Sequence, residues 1–207
     1  MRLRLISRLT VISLVIIVAV IAILHQALAQ PSGQAAPAHS TPTLQGGADL
    51  HSVTAPAFSL HDEQGQAISL ASLRGHIVIM TFMDATCTQE CPIIAQYLDQ
   101  TAQYLGVKAG QVEWLAMSVN PNNQPADVYT FLTKNKVQIK LHMLLGSSSQ
   151  LTPLWKAYHI AVIPSPTDVA HTSGLYLIDQ QGHERMWFDD GFDTRALAID
   201  INNLSAS

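Results

Sequence analysis

The chain contains two cysteines, Cys87 and Cys91, with three residues between them. A cysteine thiolate is the nucleophile of thiol–disulfide chemistry and is also a soft metal ligand. The spacing permits a disulfide if a loop residue folds back onto the start of a helix. It equally permits chelation of one metal ion at S–metal distances of about 2.3 Å. The motif by itself leaves a structural disulfide, a redox-active pair and a metal site open.

The residues around the cysteines predict a strand, a loop and a helix. Residues 76–83 form an apolar run with many β-branched side chains, which is typical of a buried strand. Beyond the motif, apolar side chains recur at helical spacing, and Pro92 suits the first turn of a helix because no partner awaits its missing N–H there. We therefore expect Cys87 in the loop and Cys91 at the helix start, where free N–H groups and the helix dipole favour thiolate.

The other segments predict alternating strands and helices. A hairpin is expected around the turn Asp62–Gly65, where polar residues precede a glycine. The hydrophobic pattern predicts further strands near residues 112–119, 141–145, 175–178 and 183–188, and helices near residues 125–135, 148–158 and from Asp193 onward. This order predicts an α/β protein with a mixed central sheet flanked by helices and an N-terminal β-hairpin extension. The end of a central strand, where the cysteines fall, is where a thioredoxin-like fold carries its active site.

The N-terminus has the pattern of a membrane anchor or a secretory signal. A basic stretch, residues 2–8, precedes an uncharged apolar run, residues 9–24, and Ala27-Leu28-Ala29 follows as a possible cleavage site. The run is longer than the core of most signals and shorter than a full span of about 20 residues. We expect residues 1–29 to form a membrane anchor, with cleavage and secretion as the alternative. Both place the rest of the chain in the periplasm or an equivalent compartment.

The composition divides the rest of the chain into a tether and one domain. Residues 30–52 are rich in small and polar residues and lack regularly spaced apolar ones, which predicts a flexible tether. Residues 53–207 have the length of one ordinary domain. The net charge is −4, and lysines and arginines do not cluster beyond the N-terminus, so nucleic acid is not an expected partner.

Three sequence features together resemble the SCO/SenC family. They are Thr81-Phe82, the segment Thr86-Cys87-x-x-x-Cys91-Pro92, and His171 just before the apolar segment 174–179. Members of that family are membrane-tethered, thioredoxin-like copper proteins that help to assemble the dinuclear copper site of cytochrome c oxidase. The resemblance implies copper as the bound metal. It also implies a copper-accepting oxidase subunit or another copper chaperone as the partner.

The same resemblance assigns the ligands. The family's two cysteine ligands fall on Cys87 and Cys91, and its histidine ligand falls on His171. The sequence departs from the family pattern at Thr88, where proline is common, and at Ala170, where an acidic residue is common. Two thiolates and an imidazole form a soft donor set that suits Cu(I) and, in tetragonal geometry, Cu(II).

Three functions are compatible with these residues. The first is a copper metallochaperone, which is not an enzyme. The second is a thiol–disulfide oxidoreductase that reduces the cysteines of a partner's copper site, with Cys87 and Cys91 forming its disulfide. Oxidoreductases of this fold commonly have a cis-proline where His171 precedes the strand, so the imidazole favours metal capture. The third is a peroxiredoxin-type peroxidase, whose sequence pattern is not met.

The other histidines, including His142 and His159, are expected not to be ligands.

Overall fold

The computed structural model describes residues 19–21, 44–165 and 169–206. The chain divides into two units, residues 1–40 and residues 41–207. Within the first unit the structure describes residues 19–21, which are helical. The expected anchor, residues 1–29, otherwise lies outside the described residues, as does the expected tether up to residue 43. In the described part of the chain, no helix combines the length and the apolar character needed to cross a membrane.

The second unit is built from strands and helices that alternate along the chain. Its strands are β1 Ala48–Thr54, β2 Ser59–His61, β3 Ala67–Ser69, β4 Ile77–Met83, β5 Val112–Ser118, β6 Leu141–Leu144, β7 Val162–Ile163, β8 Ala170–His171, β9 Gly174–Ile178 and β10 His183–Asp189. Its α-helices are α1 Glu90–Leu105, α2 Pro125–Lys134, α3 Ser148–Ala157 and α4 Thr194–Ser205. Two short 3-10 helices, Leu70–Leu73 and Gly106–Gln111, complete the order.

Six of the strands form one mixed sheet in the order β1-β10-β9-β4-β5-β6. Strands β4, β5 and β6 are parallel, whereas β9 is antiparallel to β4 and β10 is antiparallel to β9. Strands β2 and β3 form a separate antiparallel hairpin, and so do β7 and β8. The expected mixed sheet with an N-terminal hairpin is therefore confirmed.

The central strand β4 organises the core because both of its faces are covered. Its seven residues are all buried, as expected for a strand with helices on both sides of the sheet. On one face Ile77 and Ile79 pack with apolar residues of α1, α2 and α4. On the other face Val78, Met80 and Phe82 pack with residues of the β2–β3 hairpin and of α3. The strand therefore holds its carboxyl end, where the cysteine loop begins, in a fixed position.

Two parts of the fold differ from the sequence-based expectation. Strand β1 includes residues 48–52, which the composition places in the tether. This strand is mostly exposed and its pairing with β10 is interrupted by a register shift between Asp49 and Val53, so it lacks the apolar alternation that marks a strand. The second difference is the short β7–β8 hairpin, which contains His171 in its second strand.

Candidate metal centre

Asp84 organises the loop that contains the cysteines. It follows β4 directly and is buried. Its Oδ1 accepts hydrogen bonds from Thr86 N at 2.9 Å, from Thr86 Oγ1 at 2.8 Å and from Asn123 Nδ2 at 2.9 Å. Its Oδ2 accepts a hydrogen bond from Asn120 Nδ2 at 3.1 Å, and its carbonyl oxygen accepts one from Cys87 N at 3.1 Å. The carboxylate thus joins the cysteine loop to the loop after β5.

These hydrogen bonds also set the charge of Asp84. Burial works to raise the pKa of this carboxyl, but the hydrogen bonds from Thr86, Asn123 and Asn120 outweigh it and hold the pKa below its usual value. A negative charge is therefore fixed at the base of the cysteine loop. A carboxylate that accepts four hydrogen bonds holds its donors in place, which fixes the start of the loop.

The two cysteines meet at the start of helix α1, as expected. Cys91 is the second residue of the helix and is fully buried, whereas Cys87 lies in the preceding loop and is half-buried. The Cys91 N–H donates a hydrogen bond to Cys87 Sγ at 3.5 Å. Gln89, the residue that caps the helix, makes no side-chain cap hydrogen bond. The Cys87 sulfur therefore takes the place of a capping oxygen at this helix end.

The two thiols have opposite acidities. A hydrogen bond from the Cys91 thiol is the largest influence on Cys87. Together with the N–H groups of Cys91, Gln89 and Glu90 it outweighs burial and lowers the pKa of Cys87 to about 5. The same hydrogen bond, burial and the neighbouring charge of Cys87 raise the pKa of Cys91 well above its usual value. Cys87 is thus a thiolate at neutral pH, while Cys91 keeps its proton until a metal or a base removes it.

We expect the alkylation rate of Cys87 in the reduced, metal-free chain to reach half its maximum near pH 5. The thiolate is the reactive form, so a lowered pKa keeps the rate high throughout the neutral range and reduces it only below that pH. Iodoacetamide kinetics followed by mass spectrometry measure this midpoint. Cys91→Ala removes the hydrogen bond that contributes most, so its midpoint should move upward. An unchanged midpoint in that variant would contradict this explanation.

The segment that follows the His171 hairpin is attached to the elements around the cysteines by hydrogen bonds to α1 and β4. Ser173 Oγ donates to Glu90 Oε2 at 3.1 Å, and Glu90 is the first residue of α1. Thr81 Oγ1, in β4, donates to the carbonyl oxygen of Gly174 at 2.9 Å. The segment that follows His171 therefore lies against both the strand and the helix that flank the cysteines.

The imidazole of His171 is oriented by its own backbone neighbour. Its Nδ1 lies 2.9 Å from the carbonyl oxygen of Thr172. A carbonyl only accepts, so Nδ1 is the protonated nitrogen and Nε2 has the free lone pair. This arrangement is the one commonly found in histidines that bind metal through Nε2. His171 is half-buried.

The structure brings the two cysteines together but does not close a three-ligand site. Among the described residues, the donor atoms of Cys87, Cys91 and His171 do not all lie within 4.8 Å of one another.

A cleft of about 270 Å³ opens beside Cys87, between the cysteine loop and helix α2. Its walls include Thr88, Pro92 and Lys134. Cys87 is therefore the member of the pair that a reactant can approach.

A second group of possible metal ligands was not anticipated from the sequence. Asp62, Glu63 and His142 are buried, and each offers a donor atom within 4.8 Å of the other two. The two acids belong to the turn of the β2–β3 hairpin and the histidine to strand β6, so no local motif joins them. The sequence did contain one signal, which is that His142 lies among the apolar residues of a predicted strand. A buried histidine requires a polar partner, so this position indicated that one was nearby.

The fold and the cysteine pair define the class of the protein, which is a thioredoxin-like protein with a C-x-x-x-C motif at the end of its central strand. Residues 47–206 match the SCO1/SenC family, and the chain belongs to that family. The SCO2-like protein of Rickettsia prowazekii is 25% identical over 132 residues, which cover 60% of this chain and 64% of the relative. The chain therefore spans somewhat less than two thirds of that relative's length.

Solved structures of Sco proteins have the same fold. The structure of Bradyrhizobium japonicum ScoI with copper bound has a TM-score of 0.66 at 22% identity, covering 73% of this chain and 99% of that one. BsSco, described as a member of the Sco family of cytochrome c oxidase assembly proteins with a disulfide switch, has a TM-score of 0.66 at 22% identity, covering 78% and 98%. Both comparisons confirm the thioredoxin-like fold.

Proposed function

We propose that this chain is an extracytoplasmic copper metallochaperone that binds one copper ion through Cys87, Cys91 and His171. The observation that carries the proposal is the cysteine pair at the start of α1, with a thiolate on Cys87 at neutral pH. Membership of the SCO1/SenC family and the copper-bound relative support copper as the metal. The soft sulfur donors are suited to Cu(I), and the imidazole extends the range to Cu(II).

The two thiols contribute differently to capture of the ion. Cys87 supplies a ready thiolate beside an open cleft, so we expect it to make the first contact. Cys91 is protonated, and it becomes a ligand only when its proton leaves, so binding should release protons and strengthen as the pH rises. His171 completes the set when its hairpin moves toward the sulfurs. The hydrogen bond from Ser173 to Glu90 holds the segment after His171 against the start of α1.

The proposed recipient is the copper-accepting subunit of cytochrome c oxidase or another copper chaperone. The description of BsSco as an assembly protein of that oxidase supports this partner. The basic and apolar N-terminal segment supports a membrane anchor with the domain in the periplasm, or secretion after cleavage. A reporter fused after Ser207 that is active only in the cytoplasm would contradict this location.

A second candidate function is reduction of a disulfide in a partner's copper site. The split acidity of the cysteines favours it, because an exchange reaction needs one thiolate to attack and one thiol to resolve. Cys87 would attack a partner sulfur and form a mixed disulfide. Cys91, after losing its proton, would then displace the partner. The products are a Cys87–Cys91 disulfide here and two thiols in the partner. The two functions are compatible, because copper loading needs both thiols reduced.

Replacing His171 tests the three-ligand proposal. His171→Ala should weaken Cu(II) binding by about tenfold or more and change the electron paramagnetic resonance spectrum, because the imidazole is lost while both sulfurs remain. The measurements are competition titrations with a copper chelator and the spectrum of the loaded full chain. His159→Ala should change neither. An unchanged affinity and spectrum in His171→Ala would leave the oxidoreductase as the better explanation.

A further inference from the structure

The group formed by Asp62, Glu63 and His142, here called the hairpin–β6 cluster, lies apart from the cysteine site. His142 Nδ1 lies 2.8 Å from Asp62 Oδ2. Glu63 Oε2 accepts a hydrogen bond from the Met143 N–H at 3.0 Å, next to His142 in strand β6. The residues are only 2%, 5% and 3% exposed, in the order Asp62, Glu63, His142. This degree of burial is unusual for two carboxylates side by side.

The hydrogen bonds of the hairpin turn use only part of each carboxylate. Asp62 Oδ1 accepts the N–H groups of Gln64 at 2.9 Å and Gln66 at 2.8 Å, which closes the hairpin turn. Asp62 Oδ2, within the described part of the chain, has His142 Nδ1 as its hydrogen-bond partner. Glu63 Oε1 has a long contact of 3.3 Å from Gln64 Nε2. Asp62 Oδ2 and Glu63 Oε2 are not used by the turn itself, and each carboxylate oxygen has more than one lone pair.

The charges of the cluster are not balanced by protein cations. Within residues 44–165 and 169–206, neither carboxylate forms an ion pair with lysine or arginine, and the one basic partner is His142. Two buried carboxylates and one imidazole leave at least one negative charge uncompensated when both acids are ionised. Burying unpaired charge is unfavourable, so such a group gains from a bound cation. With a neutral imidazole, a divalent ion balances the two carboxylates in full.

We propose that Asp62, Glu63 and His142 form a second metal site, which takes a divalent ion of borderline to hard character such as zinc. Two carboxylate oxygens and one imidazole nitrogen match the protein ligands of zinc sites that keep a fourth position for water. The absence of sulfur sets this donor set apart from the cysteines, which prefer softer copper. Gln64, the residue after Glu63 in the hairpin turn, is exposed, so this turn borders solvent.

Binding involves a small movement and a change of tautomer in the His142 ring. Zinc–ligand distances of about 2.0–2.2 Å place tetrahedral ligand atoms about 3.4 Å apart, so the 2.8 Å contact between His142 Nδ1 and Asp62 Oδ2 opens slightly. The ion takes the place of the hydrogen between these atoms. The N–H bond of Nδ1 breaks and its proton ends on Nε2, so the ring stays neutral while bonds form from zinc to Nδ1 and to the carboxylate oxygens. A neutral imidazole and two ionised carboxylates should therefore take up zinc with no net release of protons.

The test uses the full chain with Cys87→Ser and Cys91→Ser, so that thiolates cannot bind the metal and the result is independent of the copper proposal. After dialysis against zinc and then against zinc-free buffer, metal analysis should find one zinc per chain. His142→Gln and, separately, Glu63→Gln should each lower the zinc affinity about tenfold or more, as loss of a ligand requires. Cobalt in the same protein should show visible absorption without a thiolate charge-transfer band.

His76→Gln is the matched control. His76 Nδ1 lies 4.0 Å from Glu113 Oε1 in an exposed histidine–glutamate pair, and this variant should retain the same zinc. Circular dichroism without metal shows which variants are folded, and if His142→Gln is not folded, Glu63→Gln decides the question. Failure to retain zinc, or zinc retention that neither variant reduces, would overturn the proposal. Retention that depends on both residues supports it.

Discussion

Cys87→Ser is expected to abolish tight copper binding by the full chain. Serine is not ionised at neutral pH and offers a hard oxygen, so the substitution removes the one thiolate that exists before metal arrives. Loss of this direct ligand should lower the Cu(I) affinity by more than about 100-fold, since outer-shell partners alone are worth about 10–100-fold. Competition with a Cu(I) chelator under anaerobic conditions measures the change.

Thr88→Ser serves as the control for this substitution. Thr88 is the exposed neighbour of Cys87, and the change should leave the affinity as it is. Cys91→Ser should also abolish tight binding, although its buried position requires a check that the variant is folded. Tight Cu(I) binding that survives Cys87→Ser in a folded chain would show that the cysteine pair is not the copper site.

The sequence was most informative where the residue pattern has a direct physical cause. The run from residue 76 to residue 83 contains apolar residues at successive positions, because β4 is covered on both faces. Pro92 and the apolar spacing after it correctly predicted helix α1. The start of α4 was correctly expected at Asp193, which caps the helix by accepting the N–H groups of Arg195 and Ala196. These features are local, so a single sequence contains the signal.

The features that sequence analysis missed depend on contacts between distant residues. Strand β1 is held by pairing with β10 rather than by apolar alternation, and its exposed residues resemble a linker. The contact between Asp62 and His142 joins positions 80 apart in the chain, so neither residue predicts the other. Asp84 was not expected to have a role, because its hydrogen bonds from Asn120 and Asn123 form only when the loops after β4 and β5 meet.

Asp84→Ala is expected to lower both the stability of the domain and the order of the cysteine loop. The substitution leaves the Thr86 N–H and the side-chain amides of Asn120 and Asn123 without the carboxylate that accepts from them. Buried donors without a partner cost about 1–3 kcal/mol each, with some relief from water, so the free energy of unfolding should fall by about 2–4 kcal/mol. Urea denaturation of the metal-free chain measures this change.

The effect on the cysteine loop distinguishes Asp84 from a buried carboxylate that only stabilises the fold. A loosened loop no longer holds Cys87 Sγ against the N–H groups at the start of α1, so the alkylation midpoint of Cys87 should move upward from its value near pH 5. Asp99→Ala is the matched control. Asp99 also accepts backbone N–H groups, from Gln138 and Ile139, but it lies eight residues beyond Cys91, about 12 Å along the helix. This control should lose stability and keep the midpoint. If Asp84→Ala lowers stability in the same way without moving the midpoint, Asp84 stabilises the fold but does not position the cysteine loop.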